Sequence, residues 1–581
     1  MLFANTIPEL LTHRALDSHS NPAYYYLNTQ QNWISIDWNN FQQKVHYIAC
    51  ELKERGLQKG QAIGIMASSN LQWELVHLAI LTAGGIVVGL DPNERPEQLS
   101  QMIETAKIKG VVIDNLEQLK KIKDINTANF DFKITLNDHL NSKDFSSITD
   151  IISSQQKKNT SLISFDVKND DIATIIFTSG TTGTPKGIAY SHKQILFACQ
   201  NILDVYSNIN ESCRLVCWLP LSNLFQRILN LCALAGGAQT YFVENPRKII
   251  EYLPQINPHI FIAVPRFYEK LYSELESQLN HQPRVLRNFI NYSLTQAEGT
   301  GFKSQVFKNL NYILLKKFRH LFGSNIQYMV SGSAPMPLWL LKRYAAMNLL
   351  ILEAYGLSEN VLPIAVNRPH DYQFGSVGKV MSGNEVKLAE DDELLVRGLC
   401  VFDGYLGQDK LTANQNGYHA SGDYAKVDSQ GFIHLTGRKS EIFKTSTGRK
   451  IAPAAIETLI TQAQGIDQAI IIGANKKFIT AIITLEKNEP AADVVERLTT
   501  ILHTLPSYKC PAGLIITVQG FSLAKNEITA NLKFKRKNIQ SNYSVLIEQL
   551  YKQLEDPDSS LQKQALIINS EISLHKIEKV S

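Results

Sequence analysis

Residues 175–187, IIFTSGTTGTPKG, place a loop rich in glycine and threonine directly after an apolar run. The run from Ile172 to Phe177 predicts a buried strand, and ligands of α/β proteins often bind at strand ends. Backbone N–H groups at glycines, hydroxyl donors and the charge of Lys186 together suit a phosphate group. The spacing differs from the P-loop, which requires Gly-Lys-Ser/Thr where this chain has Pro-Lys-Gly. We predict a nucleotide-phosphate loop, with a plain polar turn as the alternative.

The length and composition of the chain limit the number of domains and the class of protein that it can form. A chain of 581 residues needs at least two domains, because single cores stop growing near ~250–300 residues. Hydrophobic residues make up 44% and charged residues 19%, which is typical of globular proteins. The net charge of +4 is too small to indicate a nucleic-acid partner, so we expect none.

Targeting and cysteine patterns both favour the cytoplasm. Residues 1–20 lack the basic stretch and apolar run of a secretion signal, and the apolar stretch 78–90 is too short to span a bilayer. The seven cysteines are scattered and odd in number, which predicts buried free thiols. Cys213 and Cys217 could contribute to a zinc site, but no second pair or histidine cluster lies near them in sequence.

Alternating helix and strand patterns run through about the first four hundred residues and predict the α/β fold class. They indicate mostly parallel sheets with helices on both faces, in a large N-terminal domain of residues 1–437. Residues 438–555 combine a strand-turn-strand pattern, a helix and a further strand, which predicts a small α+β C-terminal domain. Residues 556–581 show no such pattern, and we predict a tail.

The stretch 280–322 predicts a pair of helices with an apolar and a basic face. The basic face could make a peripheral contact with an anionic membrane. We favour a solvated face on a helix whose other side packs onto the domain. The apolar stripe is Phe307, Leu310, Leu314, Phe318 and Leu321, and the basic face is Lys308, Lys316, Lys317 and Arg319.

Four further stretches accompany the glycine-rich loop. SGSAPMP (331–337) and LEAYGLSEN (352–360) are glycine turns after strand-like segments. YHASGDYAKVDSQGFIHLTGRKSEIFKTSTGRKIAP (418–453) carries an acid ahead of an Arg-Lys pair, and NEITANLKFKRKNI (526–539) is basic. Each stretch alone is weak, since single acids are usually on the surface and a basic run is usually solvated or attracts nucleic acid.

In this order the five stretches resemble the adenylate-forming superfamily of acyl-CoA synthetases, adenylation domains and luciferases, across residues 20–550. The resemblance is strongest to the long-chain fatty acyl-CoA synthetase branch. It rests there on VPRFYEKLY (264–272), on the helix pair before SGSAPM, and on TANLKFKR (529–536). This resemblance implies a large α/β domain and a small mobile α+β domain.

The resemblance also implies a role for each stretch. The glycine-rich loop would hold the β- and γ-phosphates of ATP, and Glu359 would bind Mg²⁺ with help from Thr178. Tyr355 would stack on adenine, and Asp423 would accept the ribose hydroxyls. The catalytic residues implied are Lys533, which would bridge carboxylate and phosphate oxygens, Glu359 and Arg438. The nucleotide-binding residues implied are Thr178, Ser179, Gly180, Thr181, Thr182, Gly183, Lys186, Ser333, Ala334, Tyr355, Gly356, Ser358, Asp423 and Arg438.

The activity implied is ATP-dependent activation of a fatty acid to acyl-AMP, followed by transfer to coenzyme A. Two alternatives remain, a ligase that loads acyl-AMP onto a carrier protein and an inactive lipid-binding relative. The second of them is motivated by two departures from the family pattern and by the tail, which has no assigned role. Asn223 stands where a histidine is common beside the acyl site, and Ser440 stands at the expected domain hinge. A further departure is Ala530-Asn531, where Pro-Thr is usual.

Overall fold

The chain divides into two compact units. The first comprises residues 1–386, 396–419 and 431–433, and the second comprises residues 387–395, 420–430 and 434–581. The predicted boundary after residue 437 is close to the last crossing, but the second unit also includes two earlier stretches, one of which carries Asp423. The computed structural model describes residues 4–124, 130–138, 140, 144–158, 165–179, 185–299, 301–408, 417–486, 489–503, 505–522, 524–528, 534–562, 564–568 and 571–577.

The strand predicted ahead of the glycine-rich loop lies near one edge of a seven-stranded sheet in the first unit. Six of the strands run parallel, and the last turns back antiparallel beside its neighbour. The central strands are almost wholly apolar because helices cover both faces of a parallel sheet. The strand order is Ser146–Ser147, Phe132–Thr135, Ile108–Ile113, Ala62–Met66, Ile86–Gly89, Ile172–Ser179 and Pro185–Ser191.

Two smaller sheets complete the first unit. Each combines three parallel strands with antiparallel pairing at one edge, so the α/β prediction is confirmed for this unit. One sheet has the order Arg214–Cys217, Gln239–Phe242, Pro22–Leu27 and Trp33–Asp37. The other has the order Ile260–Ala263, Tyr328–Ser331, Ile351–Leu357, Asn360–Val366 and Lys379–Val380.

The helices of the first unit differ in burial: Leu71–Thr82 is buried on almost all sides, whereas Phe302–Leu314 buries only two residues. Glycine, asparagine and proline mark several helix ends. Gly237, for example, directly follows the helix Leu224–Gly236 and itself adopts the left-handed conformation, with φ 77°. The helices are Ile7–Asp17, Trp38–Glu54, Leu71–Thr82, Pro96–Thr105, Leu116–Asp124, Ile148–Lys157, His192–Val205, Leu224–Gly236, Ile249–Ile256, Pro265–Asn280, Arg284–Ala297, Phe302–Leu314, Lys316–His320 and Leu338–Ala346, with a 3₁₀ turn at Pro246–Lys248.

The helix pair predicted within 280–322 is present, and four residues of its predicted stripe lie in or against a hydrophobic core, namely Phe307, Leu314, Phe318 and Leu321. Of the predicted residues, Phe318 is buried, whereas Phe307, Leu310 and Leu314 are only half-buried. The most deeply buried side chains of Phe302–Leu314 are Ser304 and Asn311, which are polar. They are accommodated because Ser304 donates to the carbonyl of Ala297, while the Asn311 amide donates to the carbonyl of Ala346.

The second unit is built around a five-stranded sheet, and the prediction of a tail for residues 556–581 is wrong for its described part. Ile572–Lys576 pairs antiparallel with Gly513–Thr517, and Leu566–Ile567 pairs with it on the far side. The sheet order is Ile466–Ile472, Thr480–Leu485, Gly513–Thr517, Ile572–Lys576 and Leu566–Ile567. The helices are Pro453–Ile460, Ala491–Leu502, Arg536–Asn542 and Ser544–Glu555, with 3₁₀ turns at Ser507–Lys509 and Ser560–Gln562 and a hairpin of Phe443–Lys444 and Lys450–Ile451.

Four strands lie where the chain passes between the two units, namely Asn384–Leu388, Glu393–Gly398, His419–Val427 and Ile433–Arg438. All seven cysteines are free thiols, as predicted, and six of them are buried. Within the described residues, no cluster of three or more histidine, cysteine or acidic side chains could hold a metal ion. No helix in the described ranges is both long and apolar enough to cross a bilayer.

Candidate active site

The glycine-rich loop connects two antiparallel strands at the edge of the seven-stranded sheet. Ile172–Ser179 leads into it and Pro185–Ser191 leads out, and Thr178 lies directly opposite Lys186 in the pairing. This register brings the first hydroxyl of the motif and its lysine to the same end of the hairpin. Predicted phosphate ligands Gly180, Thr181, Thr182 and Gly183 lie outside the described residues, and only the backbone of Ser179 is described.

Lys186 is connected to Glu359 through an aromatic side chain. Its Nζ lies 4.7 Å from the centre of the Tyr405 ring, on the face that attracts a cation. The hydroxyl of Tyr405 donates to Oε1 of Glu359 at 2.7 Å. The structure therefore brings together the predicted phosphate-binding lysine and the predicted metal-binding carboxylate, with a tyrosine between them.

Two backbone hydrogen bonds fix the segment that carries this tyrosine. The N–H of Phe402 donates to the carbonyl of Glu359, and the N–H of Leu406 donates to the carbonyl of Gly187, both at 2.9 Å. The segment thus spans both halves of the site. Sequence reasoning missed Tyr405, because the stretch VFDGYL around it has no distinctive spacing and lies 46 residues after Glu359.

Glu359 itself lies in the tight turn between two antiparallel strands, Ile351–Leu357 and Asn360–Val366. Tyr190 stabilises this turn, because its hydroxyl donates to the carbonyl of Ser358 at 2.5 Å. Burial raises the pKa of Tyr190 well above its usual range, so the hydroxyl keeps the proton that it donates. Ser358 is exposed beside this buried support.

The predicted adenine contacts lie on the first of these strands. Tyr355 is buried and Gly356 is exposed, and a Cβ at Gly356 would lie 3.5 Å from the Cα of Pro363. The stacking of Tyr355 on adenine stays a prediction. Its position on the strand that ends in Glu359 is compatible with it.

The SGSAPMP turn is coupled to the same strand by a buried carboxyl. Oε1 of Glu353 accepts from the backbone N–H of Met336 at 3.0 Å, which fixes the far end of the turn. Ser333, inside the turn, has φ 73°, a left-handed conformation that non-glycine residues adopt rarely, and Ala334 follows it. Burial raises the pKa of Glu353 to about 7. Sequence reasoning missed this residue, although it directly precedes AYG.

Aromatic side chains join two apolar stretches of the first unit, residues 216–225 and residues 260–268. Trp218 stacks on Phe261 with 5.7 Å between ring centres and also packs against Phe267 at 5.2 Å. The indole N–H of Trp218 donates to the carbonyl of Ile262, so the aromatic cluster has a fixed orientation. Phe261 is fully buried, whereas Phe267 is half-buried and more accessible to a ligand.

Asn223, the departure from the family pattern, begins the helix Leu224–Gly236 and lies just after a close backbone approach. A Cβ at Gly89 would lie 2.6 Å from the carbonyl oxygen of Ser222, so only glycine fits at this strand end. Phe225, the second residue of the helix, approaches Gly332 of the SGSAPMP turn, because a Cβ at Gly332 would lie 3.6 Å from its ring. The Asn223 region therefore adjoins the predicted nucleotide-binding turn.

In the second unit, the predicted ribose ligands lie beside each other. Nε of Arg438 is 3.7 Å from Oδ1 of Asp423. The neighbouring residue Lys439, the second member of the Arg-Lys pair noted in the sequence, forms ion pairs with Glu393 at 2.6 Å and Asp391 at 2.9 Å. Hydrogen bonds from Lys439 to these carboxylates raise its pKa.

This ion-pair cluster also supports the backbone next to Asp423. The N–H of Gly422 donates to Oε1 of Glu393 at 3.0 Å, and the N–H of Lys439 donates to the carbonyl of Gly422 at 2.7 Å. The turn before Asp423 and the residue after Arg438 are therefore tied together. The spacing of Glu393 in the sequence gave no signal of this role.

Two cations of the basic segment KFKRK (533–537) form hydrogen bonds within the second unit. Arg536 donates from two nitrogens to the two carboxylate oxygens of Glu457, at 2.6 and 2.5 Å, and Lys535 donates to Oδ1 of Asn526 at 2.7 Å. Lys537 is exposed. Lys533, the predicted catalytic lysine, lies outside the described residues.

Comparisons with known proteins agree with this organisation. Residues 11–406 match the model for AMP-binding enzymes, and residues 441–555 match the model for the AMP-binding enzyme C-terminal domain. The chain is 27% identical to the long-chain-fatty-acid–CoA ligase FadD15 of Mycobacterium bovis over 471 residues, 78% of each chain. It is 26% identical to fatty acyl-CoA synthetase B of Dictyostelium discoideum over 586 residues, 90% of this chain and 86% of the relative.

Solved structures share the fold. A crystal structure of the anthranilate CoA ligase AuaEII in complex with anthranoyl-AMP superposes with a TM-score of 0.75 at 19% identity, covering 94% of this chain and 99% of that one. ATP-bound MatB from Rhodopseudomonas palustris superposes with a TM-score of 0.72 at 22% identity, covering 93% and 99%. The predicted fold class, a large α/β part with a smaller C-terminal part, is confirmed.

Proposed function

Because the chain belongs to the family of AMP-binding enzymes, we propose that it is a long-chain fatty acid–CoA ligase of the AMP-forming type. A carboxylate oxygen of the fatty acid attacks the α-phosphorus of ATP, and pyrophosphate leaves, which gives acyl-AMP. The thiolate of coenzyme A then attacks the acyl carbonyl, and AMP leaves as the thioester forms. Forming acyl-AMP makes a poor electrophile reactive.

The observation that carries this proposal is the contact series Lys186, Tyr405 and Glu359. It holds a cation and a carboxylate near the glycine-rich hairpin without pairing them directly. A nucleotide triphosphate needs both, because its phosphates are anionic and travel with a divalent cation. The cation of Lys186 is thereby free of direct neutralisation by Glu359, and it stabilises charge that develops on the leaving pyrophosphate.

The residues present suit Mg²⁺ bound together with substrate. Glu359 supplies a carboxylate and Thr178 a hydroxyl, and Mg²⁺ in nucleotide sites is usually held by one or two carboxylates plus phosphates and water. When bound, Mg²⁺ would neutralise phosphate charge. Glu359 would hold the ion, and the hydrogen bond from Tyr405 keeps the Glu359 carboxylate in position.

We assign the remaining nucleotide contacts from the family resemblance. Tyr355 and Gly356 flank adenine, and Ser333 and Ala334 line the nucleotide in the SGSAPMP turn. Asp423 accepts from the ribose hydroxyls with Arg438 beside it, for which their 3.7 Å separation gives support. Lys533 contacts the carboxylate and α-phosphate oxygens during adenylation.

The acyl group proposed is long and apolar. The cluster of Trp218, Phe261 and Phe267 gives support, since apolar side chains favour a ligand by ~0.8 kcal/mol per buried CH₂. Similarity to fatty-acid ligases over more than three quarters of the chain gives further support. The free cysteines fit the proposed cytoplasmic location.

The direct experiment incubates the purified chain with ATP and Mg²⁺ and with acetate, benzoate or palmitate, and measures pyrophosphate release and acyl products. We expect palmitate to be the best substrate, and coenzyme A to convert the acyl group to a thioester with release of AMP. If acetate or benzoate were used as efficiently as palmitate, the long-chain assignment would be wrong.

The acceptor is tested in the same assay by replacing coenzyme A with a carrier protein that bears phosphopantetheine. A carrier-dependent product without a coenzyme A thioester would establish the acyl-AMP ligase alternative. Absence of pyrophosphate release with every acid, in a chain that still binds fatty acid, would instead establish the inactive relative.

A further inference from the structure

The hairpin of helices Arg284–Ala297 and Phe302–Leu314, with the short helix Lys316–His320, exposes an unusual amount of apolar surface. Among the residues that the structure describes, eight of the nineteen exposed large hydrophobic side chains lie on it. Scattered single side chains of this kind are normal, but a concentration marks an interaction surface. The eight are Val285, Leu286, Phe289, Tyr292, Phe302, Val306, Tyr312 and Ile313.

These side chains form two adjoining stripes. Phe302, Val306 and Ile313 fall within about 60° of one another on a helix that turns ~100° per residue, and so do Val285, Phe289 and Tyr292 on the other helix. The ring of Tyr292 meets Phe307 edge to face at 5.8 Å, so the stripe of the first helix adjoins the second helix. The buried residues of both helices, such as Leu294 and Asn311, lie on the opposite sides.

Basic side chains accompany the apolar ones. Phe302, Val285 and Ile313 are 87%, 83% and 70% exposed, and each has an exposed cation close by in sequence. The exposed cations are Lys303, Arg284, Lys316 and Lys317, of which the last two follow Ile313 within about one turn.

The charge of this segment is opposite in sign to that of the rest of the chain. Residues 284–320 contain seven lysines and arginines and one acid, Glu298, a net charge of +6, whereas the whole chain has +4 and the remainder therefore −2. Glu298 is itself paired with Arg343 at 3.1 Å. A partner of this hairpin must therefore be anionic as well as apolar.

We propose that this hairpin, residues 284–320, docks onto the surface of an anionic lipid bilayer. Its apolar side chains would enter the acyl boundary while the lysines and arginines contact lipid phosphates, the arrangement of interfacial helices. A second copy of the chain fits the surface less well, because a symmetric contact would bring two surfaces of net charge +6 together. The sequence alone favoured a solvated basic face on this helix pair, and the proposal replaces that expectation with a membrane contact.

The test is flotation of the full chain with vesicles of phosphatidylcholine alone or mixed with phosphatidylglycerol, without ATP or fatty acid. We expect binding only to the anionic vesicles, weakened by salt. Lys316→Glu combined with Lys317→Glu should lower the bound fraction on the order of tenfold or more. Phe302→Ser with Ile313→Ser should lower it at any salt concentration. Because no substrate is present, the result does not depend on the proposed ligase activity.

The matched control is Lys109→Glu with Lys120→Glu, the same charge change at two exposed lysines elsewhere in the first unit. It should bind like the unaltered chain. Equal binding by the Lys316→Glu, Lys317→Glu variant and the unaltered chain would overturn the proposal, as would an equal loss in the control. Salt-independent dimers that disappear in the Phe302→Ser, Ile313→Ser variant would assign the surface to a second copy instead.

Discussion

Charged side chains are held in two different ways in the two units. In the first unit, Lys186 and Glu359 both contact Tyr405, so a neutral side chain separates opposite charges. In the second unit, Arg536 is paired with Glu457 through two hydrogen bonds to its carboxylate, and little of either side chain is exposed. The former arrangement leaves charge for a ligand, and the latter neutralises it within the fold.

The difference shows why a count of charges in the sequence does not identify a binding site. The segment KFKRK carries four cations in a row of five residues, yet Arg536 and Lys535 are engaged in internal hydrogen bonds. The hairpin 284–320 has a lower density of charge, but four of its cations are exposed beside apolar side chains. Whether a cation has an internal acceptor decides its role.

The largest expected effect is on stability. Arg536→Ala removes the partner of a buried carboxylate, so we expect a loss of about 3–5 kcal/mol in the free energy of unfolding of the second unit. The measurement is chemical denaturation followed by circular dichroism. Lys537→Ala, which removes an exposed cation next to it, should change stability by less than ~0.5 kcal/mol. A loss of similar size in both variants would contradict the distinction between a cation paired within the fold and an exposed one.

The second effect is on catalysis. Lys533→Ala should lower acyl-AMP formation on the order of 10²-fold or more, the scale for removal of one charge-stabilising donor, while sparing thioester formation from supplied acyl-AMP. Both half-reactions are measured for Lys533→Ala and for Lys537→Ala, which should be nearly normal in each. Near-normal adenylation by Lys533→Ala, or an equal defect in Lys537→Ala, would contradict a catalytic role for Lys533. KFKRK would then be only a solvated basic segment.

The third effect is on the pH dependence of stability. Burial raises the pKa of Glu353 to about 7, from the value near 4.5 expected when unfolded. The unfolded chain therefore releases this proton first, and the contribution of Glu353 to stability is complete below pH ~4.5 and is lost as pH rises towards ~7. Glu353→Gln keeps an oxygen acceptor for the Met336 N–H and has no carboxyl to ionise.

Relative to the unaltered chain, Glu353→Gln should gain roughly 2 kcal/mol between pH 5 and pH 8. Melting temperatures of both proteins over that range provide the test. A difference between them that does not change with pH would show that Glu353 does not carry its proton in the folded state.

The smallest effect is expected at Tyr405. Tyr405→Phe keeps the ring beneath Lys186 but removes the hydrogen bond to Glu359, and a hydrogen bond to a charged group contributes ~1.5–3 kcal/mol at most. We expect about a tenfold decrease in kcat/KM for ATP, with a higher Mg²⁺ requirement. Unchanged kinetics in Tyr405→Phe, together with a defect in Tyr405→Leu, would mean that only the ring contact to Lys186 matters.

Much of the fold follows from local patterns. The strand Ile172–Ser179 and its neighbours are apolar runs bounded by glycine turns, so they are recognisable without knowledge of their partners. Ile572–Lys576, sequence ISLHK, is short and half polar, and its place in the sheet depends on pairing with Gly513–Thr517 far away in the chain. Such long-range pairing leaves no local signal, which is why a tail was predicted there.

The site was predictable where one motif carries a role and hidden where contacts join distant motifs. The hairpin with Lys186 was recognised from its composition, and the role of Glu359 was implied by the resemblance of the five stretches to the superfamily. Tyr405 and Glu353 were not, because their roles depend on contacts with residues brought close only by the fold. The ion pairs of Lys439 were not predicted for the same reason, since its two acidic partners lie more than forty residues earlier.

The central claim is that this chain forms acyl-AMP from a fatty acid and ATP. Fatty-acid-dependent exchange of labelled pyrophosphate into ATP, in the absence of coenzyme A, tests it most directly, because only reversible formation of acyl-AMP produces such exchange. We predict exchange that requires palmitate and Mg²⁺ in the unaltered chain and is strongly reduced in Glu359→Gln. Exchange that proceeds without any acid, or no exchange with any fatty acid by a folded chain, would contradict the account.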